Sequence, residues 1–114
     1  MEEQAGRQWA ASQELIREQL TQSIERGQEA ETLLGNKALV EWWEGFQASL
    51  IDTADQVPLN DTVARDRIYM TLGILRKLKS DLKRYVEEGV TAKQDLSNFL
   101  DLEKKGLIGR LFDV

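Results

Sequence analysis

Short stretches of turn residues divide this chain into segments whose apolar residues recur at helical spacing. The four stretches are Gly35-Asn36, Pro58-Leu59-Asn60-Asp61, Gly89-Val90-Thr91 and Gly106. Between them, apolar side chains recur every three or four residues, which is the period of a helix and not of a strand. The sequence therefore predicts an all-α fold, and the turn residues predict where its helices end.

Four helices are predicted within one domain that spans residues 1–114. Their ranges are about 3–34, 37–56, 61–88 and 92–105. The second has the broadest apolar face and is expected to be the most buried. Gly89 is expected to end the third, and a close helix–helix contact would explain Gly73 in its interior. The short links predict an antiparallel bundle of three main helices plus a short C-terminal helix.

Capping residues support these boundaries. Gly35 is expected to close the first helix in the left-handed conformation that commonly ends a helix. Asn36 is the expected N-cap of the second helix, and either Asn60 or Asp61 is that of the third. Thr91 begins a capping-box pattern at the start of the fourth.

The first helix is predicted to be longer than its neighbours and to overhang them. It would be about 48 Å long, against about 30 Å for the second helix, at 1.5 Å rise per residue. Its apolar stripe is narrow, as in a seam against one or two helices. We expect residues 1–13 to project, with Trp9 on an uncovered stretch that needs a partner surface.

The residue types that are missing exclude several classes of site. The chain has no cysteine and no histidine, which removes disulfides, thiolate and imidazole ligands and the usual general base. The carboxylate pairs Glu41/Glu44 and Asp52/Asp55 lack the Glu-x-x-His partners of helical di-metal sites, so a solvated face is expected. No phosphate-binding glycine loop, nucleophile elbow or zinc spacing occurs. The sequence therefore predicts a non-enzymatic protein without metal or cofactor.

The sequence also predicts no contact with a membrane. No apolar run approaches the roughly 20 residues that a membrane-spanning helix needs. The first residues are acidic and polar, unlike the basic and then apolar start of a signal peptide. We expect a soluble protein that is found or assembled inside a cell.

The net charge of −5 is distributed unevenly. Residues 1–55 hold eleven acidic and four basic side chains, whereas residues 65–84 hold seven basic and two acidic ones. Cations and one tyrosine are predicted in a sector of the third helix opposite its leucines. This sector is either solvated or paired with the acidic helices, or it binds an acidic protein or nucleic acid; the pI of about 4.8 argues against a dedicated nucleic-acid binder. The candidate residues are Arg65, Tyr69, Arg76, Lys79 and Lys83.

Apolar residues outside the expected core are candidates for contacts with a partner. Because adjacent helical residues point about 100° apart, Trp43 is placed on the core side and Trp42 on its flank. Trp42 is then either an interface anchor or a cap on the core edge under the fourth helix. The apolar tail, residues 107–114, either folds back or docks on a neighbouring subunit. The predicted contact residues are Trp9, Ile16, Trp42, Leu111 and Phe112.

The middle of the chain, residues 33–89, has a characteristic order of capping and turn residues. A Leu-x-Asn helix start precedes an apolar helix, a Pro-x-x-Asp-Thr turn, an arginine-rich helix and a closing glycine. The residues concerned are Leu34, Asn36, Pro58, Asp61, Thr62, Arg65, Arg67 and Gly89. This stretch resembles small all-helical proteins of tailed bacteriophages. The resemblance implies a phage-encoded protein of the head or tail assembly genes, located in the virion and, during assembly, in the host cytoplasm.

We therefore expect a non-enzymatic structural or assembly accessory protein of a phage particle. It would present helical faces to copies of itself or to a larger head, portal or tail protein. Two alternatives remain open at this point. One is a small phage regulatory module that binds a host protein, and the other is an adaptor that contacts DNA during packaging or ejection.

Overall fold

The described part of the chain is helical apart from two short connections and its last residue. The structure, a computed structural model, describes residues 2–105, with side chains from residue 7 onward. Within that part the elements are three helices and no strand: α1 (Glu2–Leu34), α2 (Lys37–Gln56) and α3 (Thr62–Lys104). The predicted all-α class is confirmed, and the bounds of the first two helices agree with the prediction to within one residue.

Two residues, Gly35 and Asn36, join α1 to α2. The Gly35 N–H donates to the Glu31 carbonyl at 2.9 Å, and the Asn36 N–H donates to the Leu33 carbonyl at 3.2 Å. Asn36 is extended (φ −77°, ψ 108°), and its side chain accepts from the Leu39 N–H at 3.0 Å, so the predicted N-cap is confirmed. The left-handed conformation predicted for Gly35 is wrong. Gly35 continues the helical hydrogen bonding by one residue, and Asn36 makes the turn.

A loop that contains the chain's one proline joins α2 to α3. Val57 has the extended backbone that a following proline favours (φ −69°, ψ 130°). The Asp61 N–H donates to the Pro58 carbonyl at 3.0 Å, and the Asp61 carboxylate accepts from the Ala64 N–H at 3.2 Å. Asp61 is thus the N-cap of α3. The Arg65 guanidinium donates to the same Pro58 carbonyl at 3.3 Å, which ties the first turn of α3 to the loop.

Removal of either helix cap is expected to lower stability. Asn36→Ala and Asp61→Ala each delete the acceptor of one helix N–H, and each should reduce the free energy of unfolding by about 1 kcal/mol. Chemical denaturation followed by far-ultraviolet circular dichroism measures the change. Asn60→Ala is the matched control, because it alters the neighbouring loop residue and leaves the cap in place. A loss at Asn60 equal to that at Asp61 would contradict the assignment of the cap.

The third helix is 43 residues long and continues through Gly89. The prediction of a separate fourth helix over about residues 92–105 is wrong, because those residues form the last part of α3, and Thr91 lies inside the helix rather than at a cap. Gly89 lies against Gly27 of α1 and allows the two backbones to approach. The close contact expected at Gly73 is not found there, since nothing lies within 4 Å of a Cβ built on it.

The chain divides into two compact units. Unit 1 is Met1–Gln28 with Tyr85–Val114, and unit 2 is Glu29–Arg84. Among the described residues, unit 1 therefore consists of most of α1 and the last part of α3. Unit 2 consists of the end of α1, all of α2 and the first part of α3.

In unit 1, small residues let α1 and α3 approach closely. A Cβ built on Gly27 would lie 2.8 Å from the Tyr85 carbonyl oxygen and 2.9 Å from the Gly89 Cα. A Cβ built on Gly89 would lie 3.0 Å from the Gly27 Cα. Both glycines and Ala92 are buried. Beside this contact, the Arg26 guanidinium lies over the Tyr85 ring, 5.2 Å from its centroid.

The two helices of unit 1 run antiparallel. As α1 proceeds from Gln13 to Gly27, its contacts move back along α3 from Glu103 to Gly89. The Gln13 amide donates to the Glu103 carboxylate at 2.6 Å, and Arg17 forms an ion pair with the same carboxylate. The last part of α3 therefore lies along α1 as far as Gln13. A helix that ended at Gly89 would not reach that part of α1. The projection of residues 1–13 stays a prediction.

Unit 2 has a thin core. Among its residues, Ala30, Leu72 and Leu75 are the buried apolar ones, with 2%, 3% and 9% of their surface exposed. None of the residues of α2 is buried, so the prediction that α2 is the most buried helix is wrong. Its core-facing residues, such as Trp43 and Leu50, are only half-buried because few neighbours cover them.

Candidate interaction surfaces

Three cations of α3 line one side of an open cleft in unit 2. Arg76, Lys79 and Lys83 lie three and four residues apart, which places them along one side of the helix. Trp43 and Gln47 of α2 also line the cleft, whose volume is about 270 Å³. Among the described residues no carboxylate lines it, so it presents cations, hydrogen-bond donors and an indole ring. We call this surface the cationic cleft; it also includes Ser80.

The cations of the cleft have no acidic partner in the part of the chain that the structure describes. The flanking cations differ: Lys77 and Arg84 lie 3.3 and 3.6 Å from the carboxylate oxygens of Asp81. None of the three cleft cations comes within 4 Å of a described carboxylate, and Lys79 is half-buried. A partly desolvated cation gains most from an anion that comes close to it. The cleft is therefore suited to an anionic ligand.

The structure brings together only part of the predicted basic face. The Arg65 guanidinium donates a hydrogen bond to the Pro58 carbonyl, and Arg65 does not line the cleft. Tyr69 is 58% exposed and does not line the cleft. The predicted position opposite the leucines is wrong for Lys79, which lines a small cavity together with Leu82.

A stripe of exposed apolar side chains lies on another side of α3. Val63, Met70 and Ile74 are 60%, 67% and 63% exposed, and on a helix they fall within about 40° of one another. Since Leu72 and Leu75 form the core, α3 carries apolar residues on two faces. The stripe was not predicted from the sequence, because each helix was expected to have a single apolar face. The signal was available in the spacing of residues 63, 70 and 74, seven and four apart.

Trp42 lies on the surface of α2. It is 58% exposed, and its ring stacks on that of Phe46, with 5.3 Å between centroids and 15° between planes. The Trp43 ring lies edge-on to it at 6.5 Å. The alternative in which Trp42 caps the core edge under a fourth helix is wrong, because Trp42 is exposed and the separate helix does not form. The stacked pair is a suitable anchor for a partner.

The small cavity lined by Lys79 is not a ligand site. Its volume is about 30 Å³, and its lining is mostly apolar, with four leucines, Val40 and Trp43. Ligand pockets usually measure about 300–1,000 Å³. Glu44 also lines the cavity but does not form an ion pair with Lys79. We assign this cavity to imperfect packing of unit 2.

An acidic groove lies in unit 1. Glu14, Glu18 and Glu25 of α1 line it together with Arg17 and with Glu103 of α3, and its volume is about 550 Å³. Arg17 and Glu103 form an ion pair with each other. The other three carboxylates have no ion pair with any described residue. We call this surface the acidic groove.

The remaining predicted contact residues are distributed over different surroundings. Ile16 is 41% exposed and Trp9 is half-buried. Leu111 and Phe112 lie outside the described residues. No helix in the described part is long and apolar enough to cross a membrane.

The acidic pairs of α2 lie in solvent. Glu41, Glu44, Asp52 and Asp55 are all exposed, and Lys37 lies 3.8 Å from Glu41. Among the described residues there is no cluster of three or more side chains that could hold a metal ion. The carboxylates of α2 thus form a solvated face.

No protein-family model, curated protein or solved structure matches the chain.

Proposed function

We propose that the protein is a non-enzymatic helical assembly protein that acts by associating with further copies of itself. The observation that carries this proposal is the stripe of exposed apolar side chains on α3, which consists of Val63, Met70 and Ile74. A group of apolar side chains exposed together is a feature of protein contact surfaces.

The apolar stripe of α3 gives the chain a thermodynamic reason to associate. Its members, Val63, Met70 and Ile74, are each at least 60% exposed. Covering them would release roughly 25 cal/mol for each Å² of apolar surface removed from water. Arg67 lies between Val63 and Met70 on the same side of the helix, and Asp66 lies beside the stripe. Polar groups therefore accompany the apolar ones, as they do in most interfaces.

The capping and turn residues between Leu34 and Arg67 resemble those of helical phage proteins, which supports a setting in the assembly of a phage particle. Gly89, the closing glycine of that pattern, lies inside α3 and adds no support. In that setting the contacts would extend to a larger head, portal or tail protein. The proposal predicts that mass spectrometry detects the protein in purified particles. Absence from particles, together with a monomeric state, would favour the small regulatory module that binds a host protein.

Self-association is tested by the solution mass of the full chain. We expect static light scattering to give a mass above 13.0 kDa that increases with concentration. The double variant Met70→Ser with Ile74→Ser should associate only at protein concentrations at least about tenfold higher than the unaltered chain needs, because it lacks two exposed apolar side chains of the stripe. Circular dichroism of each variant verifies that the helices are retained.

Val90→Ser is the matched control for the stripe variant. Val90 is 67% exposed, as is Met70, but it lies in unit 1 away from the stripe. It should leave the association unchanged. A full chain that stays monomeric at every concentration would overturn the proposal. Equal effects at Val90 and at the stripe would remove the stripe from it.

A further inference from the structure

We propose that the cationic cleft of one copy binds the acidic groove of the next copy. The inference rests on the proposed self-association and names the surfaces that orient it. The cleft contributes Arg76, Lys79 and Lys83, and the groove contributes the carboxylates of α1. The contact joins unit 2 of one molecule to unit 1 of another.

The two surfaces carry complementary charge. The cleft holds three cations, and no described carboxylate lines it. The groove holds Glu14, Glu18 and Glu25 in excess, after Arg17 and Glu103 have neutralised each other. Two surfaces with equal and opposite uncompensated charge attract each other, whereas two clefts or two grooves would repel each other.

The spacing of the charges also matches. Glu14 and Glu18 lie four residues apart on α1, and Lys79 and Lys83 lie four residues apart on α3. Each pair spans about 6 Å along its helix axis. Two helices laid side by side can therefore bring both carboxylates to both ammonium groups at once. Trp43, on the α2 side of the cleft, would pack against the methylene groups of the lysine side chains in this contact.

A contact between two different surfaces has a consequence for the size of the assembly. A dimer formed in this way retains one free cationic cleft and one free acidic groove. Further copies can add at both, so the chain grows into a ring or an open filament rather than stopping at two. The predicted mass distribution therefore extends beyond the dimer.

The occupant is a second copy rather than nucleic acid. The chain carries a net charge of −5, which repels a polyanion as a whole, whereas a nucleic-acid binder concentrates basic charge over a broad face. Two of the cations that flank the cleft, Lys77 and Arg84, are paired with Asp81, which limits the width of a basic track. A second copy needs only the cleft itself.

The test uses two full-length variants with reversed charge, each measured alone and then mixed. Lys79→Glu with Lys83→Glu makes both surfaces of a copy acidic, and Glu14→Lys with Glu18→Lys makes both basic. Each variant alone should associate with an apparent dissociation constant at least about tenfold higher than that of the unaltered chain. An equal mixture should recover the mass of the unaltered chain, because acidic and basic surfaces then alternate.

Salt and a second charge reversal provide the controls. Raising the ionic strength from about 0.1 M to about 1 M shortens the screening length from about 10 Å to about 3 Å, so the mass of the unaltered chain should fall. Asp52→Lys with Asp55→Lys changes the net charge as much as the groove variant does, on an exposed face of α2. It should leave the association intact.

The outcomes separate this inference from the proposal on which it rests. If both variants associate as the unaltered chain does, and added salt does not lower the mass of the unaltered chain, the cleft-to-groove contact is overturned. Self-association itself would still stand. A chain that is monomeric under all conditions would overturn both. Binding of a fluorescent single-stranded oligonucleotide that is lost in Lys79→Glu with Lys83→Glu, while association persists, would assign the cleft to nucleic acid instead.

Discussion

Gly27→Ala is expected to lower the free energy of unfolding by about 2 kcal/mol, although alanine is the better helix former. The added methyl group would lie 2.8 Å from the Tyr85 carbonyl oxygen and 2.9 Å from the Gly89 Cα. Both neighbours are backbone atoms and cannot rotate away, so the helices must separate. Overpacking costs roughly 1–3 kcal/mol. Against rigid backbone we expect the upper end, about 3 kcal/mol, of which the gain of about 1 kcal/mol in helix propensity offsets a part.

Gly73→Ala is the matched control, with the opposite expected sign. No atom lies within 4 Å of a Cβ at Gly73, so only the propensity gain of about 1 kcal/mol remains. Denaturant unfolding at one low protein concentration compares the two without a contribution from association. If both variants are stabilised to the same extent, the close contact between α1 and α3 does not exist in solution.

Leu72→Ala is expected to reduce the free energy of unfolding by about 3 kcal/mol. Leu72 is 3% exposed and is one of few buried apolar residues in unit 2. The truncation removes contacts with the thin core and leaves a cavity that the rigid helix backbones only partly close. Denaturant unfolding and thermal unfolding of the variant measure the loss.

Met70→Ala compares the loss of an exposed apolar side chain with the loss of the buried Leu72 on the same helix. Met70 is 67% exposed, so its truncation should change the free energy of unfolding of the monomer by less than about 0.5 kcal/mol. It should still weaken association through the apolar stripe. A loss of stability at Met70 comparable to that at Leu72 would show that the stripe is part of the core of the single chain.

The two N-caps and the end of α2 were predictable from the sequence because they depend on neighbouring residues. Asn36 caps α2 through the N–H three residues later, and Asp61 caps α3 in the same way. Pro58 ends α2 because its ring restricts the residue before it. Each of these contacts is made within one turn of the chain, so residue type and spacing are enough to infer it.

Features that depend on distant residues were not predictable. A glycine serves equally well at the end of a helix and at a close crossing of two helices. Gly89 has the second role only because Gly27, far away in sequence, lies against it. The grouping of Arg76, Lys79 and Lys83 followed from helical spacing. Their position beside Trp43 depends on how α2 and α3 lie together, which a single sequence pattern does not specify.

The antiparallel contact of α1 with α3 also has a consequence for synthesis on the ribosome. Gln13 meets Glu103, 90 residues later in the chain. At a translation rate of about 5–20 residues per second, the partner of α1 appears roughly 5–18 s after α1 itself. During that interval the helices of unit 2 can already form from contiguous chain, while the apolar seam of α1 is still without its partner. Neighbouring nascent chains on a polysome can therefore exchange their first helices during this interval. A chaperone can bind the uncovered apolar residues of α1 at the same stage.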